Sequence, residues 1–317
     1  MTRVLRLMAI VLFACARPGA AADYPSKPIR VVVPYAPGGG TDVLSRAICD
    51  KLTGALGQTV VIDNRPGANG AIGSEIVAKS VPDGYTLVVV TGTHVINPHF
   101  QKVPFDTLAD FTPITFAAIS KMVLVSGLQQ PFTNIKELIA YAKANPGKLS
   151  IGNSEAATML TGELFKVMTG TDLQQVPYKG GAPLMTDVVG GHIPVAVTSV
   201  TSVMPFYKGQ KLRVLGVSSK KRSPAMPDVP TIAEAGVPGY EVQSWYAVLG
   251  PKGLPRAIAE RLQREVAKIV STAEMKERFE TLGAEAAATT PDETAAIMRA
   301  DMEKWAGVVQ KTRLKAQ

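Results

Sequence analysis

The sequence predicts an α/β fold of two domains with a cleft between them, and three observations carry this prediction. Short β-branched apolar runs alternate with segments whose apolar residues recur at helical spacing, and Gly- and Pro-containing turns join them. A unit of strand, small polar turn and helix recurs along the chain. The 317 residues suffice for two domains of ordinary size. Such alternation is typical of parallel sheets covered by helices on both faces.

The first unit is organised around the turn 35–42, Tyr-Ala-Pro-Gly-Gly-Gly-Thr-Asp. The apolar run 29–34 before it predicts a buried strand, and residues 44–56 after it have helical spacing. Thr41 or Asp42 is expected to cap this helix. The start of a helix presents unpaired N–H groups and the positive end of the helix dipole. The turn therefore suits a small anion, and no charged side chain is needed to bind it.

The next segments repeat the pattern, with a strand at 59–62, a loop at 64–70, a helix at 72–80 and a strand at 86–90. This last strand ends in Thr91-Gly92-Thr93-His94. Ligands of open α/β sheets bind beyond the carboxyl ends of the strands, so both turns are candidate binding positions.

A Pro- and Phe-containing connector covers 98–113 and interrupts the pattern. Beyond it, two apolar runs predict strands that cross into the second domain, and the strand-turn-helix unit then recurs. The expected elements are strands at 114–119, 122–125, 149–151, 174–177, 193–197 and 212–217, helices at 134–144, 159–168 and up to Val189, and turns at 152–158, 178–182 and 198–202. Asn134 is the expected N-cap of its helix.

The C-terminal third begins with a Pro-rich extended linker, 223–230, and is expected to return to the first domain. A strand at 242–249 and helices at 255–270 and 291–309 follow, and the helices carry apolar stripes. The predicted division is residues 23–112 and 223–317 in lobe one and residues 113–222 in lobe two. Two chain crossings would then form a hinge beside the cleft.

Residues 1–22 are expected to be a secretory signal peptide. Arg3 and Arg6 precede the apolar run 7–16, and the alanines at 20–22 offer an Ala-x-Ala cleavage site. The run is too short to span a bilayer. The sequence therefore predicts a protein exported to the periplasm.

Lipidation of Cys15 is the alternative to plain cleavage, because residues 12–15 resemble a lipobox, although Phe13 fits that motif poorly. Cleavage after residue 22 lowers the formal net charge from +8 to +5. No basic run interleaved with aromatic residues is present, so no nucleic-acid partner is expected. Cys49 would be the remaining cysteine, which excludes an intramolecular disulfide; it is expected in the core.

A nucleotide is not the predicted ligand of the glycine turn. A P-loop requires a lysine that the turn lacks, and the third glycine of a dinucleotide fingerprint is replaced by Val43. Three glycines nevertheless exceed what a turn needs, and close approach of the backbone to a ligand explains the excess.

The sequence leaves one catalytic alternative, a serine hydrolase. Residues 152–156 nearly match a nucleophile elbow around Ser154, with His192 downstream and Asp172 or Asp187 between them, an order that a serine hydrolase would use. Ala156 replaces the last glycine of that motif, so a non-catalytic protein is favoured. No metal or other cofactor is expected, because the spacing of the histidines suits no usual zinc site. We expect His94 at the cleft rim or in a loop.

Several motifs in one order resemble a known family. They are Tyr-Pro-Ser-Lys-Pro-Ile-Arg at 24–30, the turn 37–42, Asn-Arg-Pro-Gly-Ala at 64–68, Pro-Asp-Gly-Tyr-Thr-Leu at 82–87, Gly-Glu-Leu-Phe at 162–165, Val-Pro-Tyr-Lys-Gly at 176–180, Lys-Arg-Ser-Pro at 221–224 and Pro-Thr-Ile-Ala-Glu-Ala-Gly at 230–236. Together they are similar to the periplasmic receptors of tripartite tricarboxylate transporters, the Bug or TctC-like proteins. The resemblance covers residues 24–313.

The resemblance implies a two-lobed, type II periplasmic binding-protein fold, each lobe a mainly parallel sheet flanked by helices. It also implies a small carboxylate ligand, such as a di- or tricarboxylate or an aromatic acid. The partners it implies are a large and a small membrane permease subunit, and we expect a monomer. A receptor that presents its ligand to a sensor protein is the alternative.

By motif match, the resemblance implies that the ligand-binding positions are Tyr35, Pro37, Gly38, Gly39, Gly40, Thr41, Asp42, Thr91, Gly92, Thr93, Ser154, Ala157, Thr158, Tyr178, Gly180, Gly181 and Ala182. Two departures from the family pattern leave the wall of lobe two less charged: Met159 stands where a histidine is common, and the aspartate often found near Thr198 is missing. Asp42 is expected to limit the ligand, either by repelling a second anion or by pairing with an amino group.

Overall fold

The computed structural model describes residues 24–312, so the expected signal peptide and Cys15 lie outside the described part. Its strands are β1 (Ile29–Val33), β2 (Val60–Asn64), β3 (Thr86–Thr91), β4 (Phe111–Gly127), β5 (Leu149–Asn153), β6 (Leu173–Pro177), β7 (Val195–Ser199), β8 (Leu212–Val217), β9 (Gln243–Pro251) and β10 (Ala284–Ala286). Its helices are α1 (Gly40–Leu56), α2 (Ala71–Ala78), α3 (Thr93–Ile96), α4 (Ile135–Ala144), α5 (Ala156–Thr169), α6 (Gly181–Gly190), α7 (Val200–Lys208), α8 (Arg256–Ser271), α9 (Ala273–Thr281) and α10 (Pro291–Thr312).

The strands form one sheet in the order β2-β1-β3-β9-β4-β7-β5-β6, and β10 and β8 also pair with β4. In the first half, β1 pairs in parallel with β2 and β3, and β9 joins β3 antiparallel. In the second half, β5 pairs in parallel with β6 and β7. The parallel units are the predicted ones, and β4 and β9 add antiparallel pairs, so each half is a mixed α/β layer. The predicted α/β class with two strand-turn-helix sets is confirmed.

Strand β4 connects the two halves. The two runs predicted as separate strands form one continuous strand, because the polar residues between them are accommodated inside: Ser120 is buried, and the Lys121 ammonium pairs with Glu285. Residues 111–121 pair with β9, and residues 122–127 pair with β7 and β8. Pairing therefore changes at Lys121, several residues beyond the expected boundary at 113.

The segment 223–242 packs on the second half, although it was expected to belong with lobe one. Met226 and Val229 are buried in the same apolar cluster as Val203 of α7. Tyr240 is buried, and its hydroxyl donates to the carbonyl oxygen of Thr161 at 2.7 Å. The chain thus leaves the second half only where β9 begins.

An apolar cluster between α1 and α8 stabilises the first half. Helix α1 buries Leu44, Ile48 and Leu52 against the stripe of α8, which includes Ile258 and Leu262. Cys49 is buried in this cluster, as expected, and burial raises the pKa of its thiol to about 12. Between residues 24 and 312, no helix combines the length and apolarity needed to cross a membrane.

Candidate functional site

A small cavity of about 30 Å³ lies where the two halves of the sheet face each other. Its walls come from five chain segments: Tyr35, Ala36, Gly39, Gly40 and Thr41; Ser154 and Glu155; Gly180 and Gly181; Thr198, Ser199 and Ser202; and Tyr246. The lining is polar and carries a single ionisable carboxylate, that of Glu155.

Four helices begin at this cavity. Helix α1 starts at Gly40, α5 at Ala156, α6 at Gly181 and α7 at Val200. Each start brings the first backbone N–H groups of a helix and the positive end of its dipole to the same space. The convergence creates a positive potential from backbone alone, which suits an anion.

The glycine turn meets the second half directly. The Gly40 N–H donates to Ser202 Oγ at 3.1 Å. A Cβ on Gly40 would lie 2.7 Å from Ser199 Oγ and 2.9 Å from the Tyr246 hydroxyl, so no larger residue fits. Gly38 has φ +80°, a left-handed conformation that favours glycine. Two of the glycines are therefore needed for different reasons: Gly38 for its left-handed backbone conformation, and Gly40 for the close approach of Ser199 and Tyr246.

Helix α1 begins earlier than predicted, with Gly39 as N-cap in place of Thr41 or Asp42. Asp42 lies in the first turn, and its Oδ2 accepts from the Gly38 N–H at 3.0 Å. It also pairs with Arg46 and accepts from Asn64. Burial opposes ionisation, yet the hydrogen bonds from Arg46, Gly38 and Asn64 outweigh it and lower the pKa of the carboxyl. The structure thus places the Asp42 carboxylate behind the turn, outside the cavity lining.

The turn after β3 reaches across the cleft. The Thr91 and Thr93 hydroxyls donate to Glu155 Oε2 at 2.8 and 2.9 Å. The Thr93 Oγ1 also accepts from the Ala157 N–H at 3.2 Å, which joins α3 to α5. Gly92 is the N-cap of α3 and does not line the cavity.

Helix α5 starts three residues earlier than expected, with Glu155 as N-cap. The Thr158 Oγ1 accepts from the N–H groups of Ser154 and Glu155 at 3.0 and 3.1 Å, so Thr158 serves the turn itself. Of the predicted positions here, Ser154 lines the cavity, while Ala157 and Thr158 are buried beneath it.

The turn before α6 is split between two roles. Gly180 and Gly181 line the cavity, and Ala182 lies opposite Gly38. The Tyr178 hydroxyl instead donates to Asp187 Oδ2 at 2.7 Å, within the second half. Pro37 is exposed beside the turn.

Six residues that line the cavity are not among the expected ligand-binding positions, namely Ala36, Glu155, Thr198, Ser199, Ser202 and Tyr246; the sequence left open whether Tyr246 lines the cleft or packs in the core. The segment 198–202 was expected as a turn, but Ser199 accepts from the Ser202 N–H and caps α7. A serine followed by apolar residues at helical spacing, Val200, Val203 and Met204, was the available signal. Tyr246 and Trp245 are adjacent on β9 and pack in different apolar clusters, and Tyr246 also lines the cavity.

The hydrolase constellation is not assembled. In the described residues, no hydrogen bond joins the side chains of Ser154 and His192, and Asp187 accepts from Tyr178. His94 lies in the core and not at the cleft rim. Its ring stacks on Phe105 and forms a hydrogen bond with the Thr107 carbonyl oxygen. Burial lowers the pKa of His94 to about 4, although the bond to Thr107 opposes the shift. Within residues 24–312, no cluster of three metal-ligating side chains is found.

Two α/β halves that enclose a polar cavity at converging helix starts define a type II periplasmic binding protein. The sequence model of the tripartite tricarboxylate transporter family receptor, TctC, matches residues 44–314, and the chain belongs to this family. Members of the family are receptors.

Similar proteins extend this result. The chain is 34% identical to the Protein BugT of Bordetella pertussis over 99% of both chains. A solved structure titled R. palustris Rpa4515 with adipate is 35% identical, with a TM-score of 0.90 over 92% of this chain and 99% of that one. MatC from Rhodopseudomonas palustris with bound malate is 27% identical, with a TM-score of 0.85 over 90% and 100%.

Proposed function

We propose that this protein captures a small organic acid in the cavity between the two halves and delivers it to a membrane permease with a large and a small subunit. The observation that carries the proposal is the convergence of four helix starts on one polar cavity. The similar structures with adipate and malate support a carboxylate as ligand.

One ligand carboxylate would meet the start of α1. The N–H groups of Gly39 and Thr41 and the Thr41 hydroxyl provide donors there, and the N–H groups of Gly180 and Gly181 face them across the cavity. Hydrogen bonds to a charged group contribute about 1.5–3 kcal/mol each, so micromolar affinity is reachable after ordering costs. Asp42 takes no part, because Arg46 and Asn64 hold its carboxylate behind the turn.

The two halves of the sheet would act as lobes. Strand β4 and the segment that leads into β9 are the two crossings, and bending there would open the cleft while leaving both cores intact. Closure around the ligand would complete the surface that the permease subunits recognise. The protein would act without catalysis, as a monomer, in the periplasm, after removal of a signal peptide.

A thermal-shift screen tests this proposal. Hexanoate, adipate, malate, benzoate and glutamate are compared with choline and glucose. A ligand at 100 times its Kd stabilises the fold by about 2.7 kcal/mol, which raises the Tm measurably. We expect organic acids to raise the Tm; a shift with choline or glucose alone would contradict the proposal.

A further inference from the structure

The second-half wall of the cavity contains a carboxylate of its own. Glu155 lies at the N-terminus of α5, where its side chain accepts a hydrogen bond from the backbone N–H of Thr158. Its Oε2 accepts the Thr91 and Thr93 hydroxyl protons from the other half of the sheet. At this helix start the Thr158 N–H is therefore engaged by Glu155, and the Ala157 N–H is engaged by Thr93 Oγ1.

The direction of each hydrogen bond follows from the number of protons available. Because Thr91 gives its one hydroxyl proton to Glu155, the Tyr35 hydroxyl must donate to Thr91 Oγ1, 2.9 Å away. In the same way, Thr93 Oγ1 donates to Glu155 and accepts from the Ala157 N–H. Glu155 Oε2 is thus the acceptor at which two hydroxyl groups of the other half converge, as they would on a bound anion.

No cation is among the groups that hold Glu155. Burial raises the pKa of its carboxyl, and the hydrogen bonds from Thr91 and Thr93 oppose that shift. The ionisable groups that face it are Tyr35 and Tyr246, and burial raises the pKa of both, that of Tyr246 to about 12. Among residues 24–312 no lysine, arginine or histidine pairs with this carboxylate, so its ionised form has no compensating cation at the edge of the cavity.

We propose that Glu155 determines ligand specificity: its carboxylate occupies the anion position at the start of α5, so the receptor selects acids with one carboxylate over dicarboxylates of equal length. The inference rests on the function proposed above. The ligand's carboxylate would go to the starts of α1, α6 and α7. A second carboxylate would find the donors of α5 engaged and would face a like charge.

The size of the expected effect follows from Coulomb's law. Two like charges about 6 Å apart at an effective dielectric constant of about 20 repel strongly enough to weaken binding more than tenfold. A neutral or apolar distal group avoids this repulsion. Removing the charge of Glu155 should therefore change the affinity for dicarboxylates and leave the affinity for monocarboxylates nearly unchanged.

Isothermal titration with length-matched acids tests the inference. Hexanoate is compared with adipate, and butyrate with succinate, on the full chain and on the variants Glu155→Gln and Glu155→Ala. The matched control is Glu163→Gln, since Glu163 is a buried glutamate of the same helix that pairs with Lys166, away from the cavity. We expect both Glu155 variants to bind the dicarboxylates about tenfold or more tightly than the wild type, with less than about threefold change for the monocarboxylates.

The pH dependence of the difference between wild type and Glu155→Ala gives a second readout. Protonation of Glu155 at low pH should narrow the difference in dicarboxylate affinity between the two proteins, and comparison at equal pH cancels the titration of the ligand. A wild type that prefers adipate to hexanoate, with the same preference in both Glu155 variants, would overturn the inference. Binding of none of the four acids to any variant would overturn the proposed function instead.

Discussion

The backbone N–H of Gly40 donates to Ser202 Oγ at 3.1 Å, and this bond joins the start of α1 to the start of α7 across the cleft. The Ser199 hydroxyl donates to the same oxygen at 3.0 Å. Ser202, whose N–H donates to the N-cap Ser199, therefore also joins the two halves of the sheet.

Ser202→Ala should weaken ligand binding. The variant removes one hydrogen bond between the halves, and a net loss of about 0.5–1.5 kcal/mol corresponds to an increase in Kd of about two- to tenfold. Titration calorimetry with the acid that gives the largest thermal shift measures it. Ser271→Ala, on the exposed face of α8, is the control and should leave Kd unchanged. An unchanged Kd in Ser202→Ala would show that this bond does not contribute to closure.

Asp42→Asn should lower stability and leave ligand affinity within about threefold of the wild type. The Asp42 carboxylate accepts charge-assisted bonds from Arg46, and the loss of such bonds costs about 1–3 kcal/mol. Because its pKa is lowered in the fold, this contribution is present above the ordinary pKa of an aspartate and is lost as the pH falls through the lowered value. Urea unfolding and titration calorimetry measure the two quantities. Much tighter binding of carboxylates, or loss of an amine-bearing ligand, would place Asp42 in the site after all.

His94 should make the fold sensitive to mild acid. Below the ordinary histidine pKa of 6.5, His94 is protonated in the unfolded chain, whereas in the native fold it stays neutral down to about pH 4. The free energy of unfolding should fall over this window by about 3 kcal/mol in total. Urea unfolding of wild type and His94→Phe near pH 7 and near pH 4.5 isolates the contribution, since other groups are common to both. Parallel losses of stability in the two proteins would contradict the assignment.

We do not expect Ser154 to act as a nucleophile, because its side chain has no hydrogen bond to His192 within the described residues. We expect no turnover of p-nitrophenyl acetate above the buffer rate by the wild type. Turnover that disappears in Ser154→Ala would restore the hydrolase interpretation.

Local patterns were enough to predict the strand-turn-helix units. Asn134 was expected as an N-cap, and its side chain accepts from the Glu137 N–H at 3.0 Å, as predicted. Helix α9 and strand β10 were missed because they are short, and β10 gains its partner only from the distant β4. Within β4, Lys121 pairs with Glu285, which is 164 residues further along the chain, so local sequence could not indicate this partner.

The turns of the site were predicted, and the contacts between them were not. Nothing local to Glu155 indicates that Thr91 and Thr93 lie against it, because they belong to the other half of the sheet. Likewise, the sequence does not indicate a partner 22 residues away for Asp42, and only the fold brings the Asn64 side chain to its carboxylate. Glycine content indicated a close approach at Gly40 without identifying Ser199 and Tyr246 as the opposing groups.

The comparison of Gly40→Ala with Gly54→Ala tests the central claim, closure of the cleft on an organic acid, most directly. Both glycines lie in α1, but a Cβ on Gly40 would collide with Ser199 and Tyr246, whereas a Cβ on Gly54 meets no atom within 4 Å. The measurement is the shift in Tm with hexanoate, adipate, malate and benzoate. The account predicts that at least one acid raises the Tm of the wild type and of Gly54→Ala and leaves that of Gly40→Ala unchanged. Equal shifts in all three proteins, or none in the wild type, would contradict it.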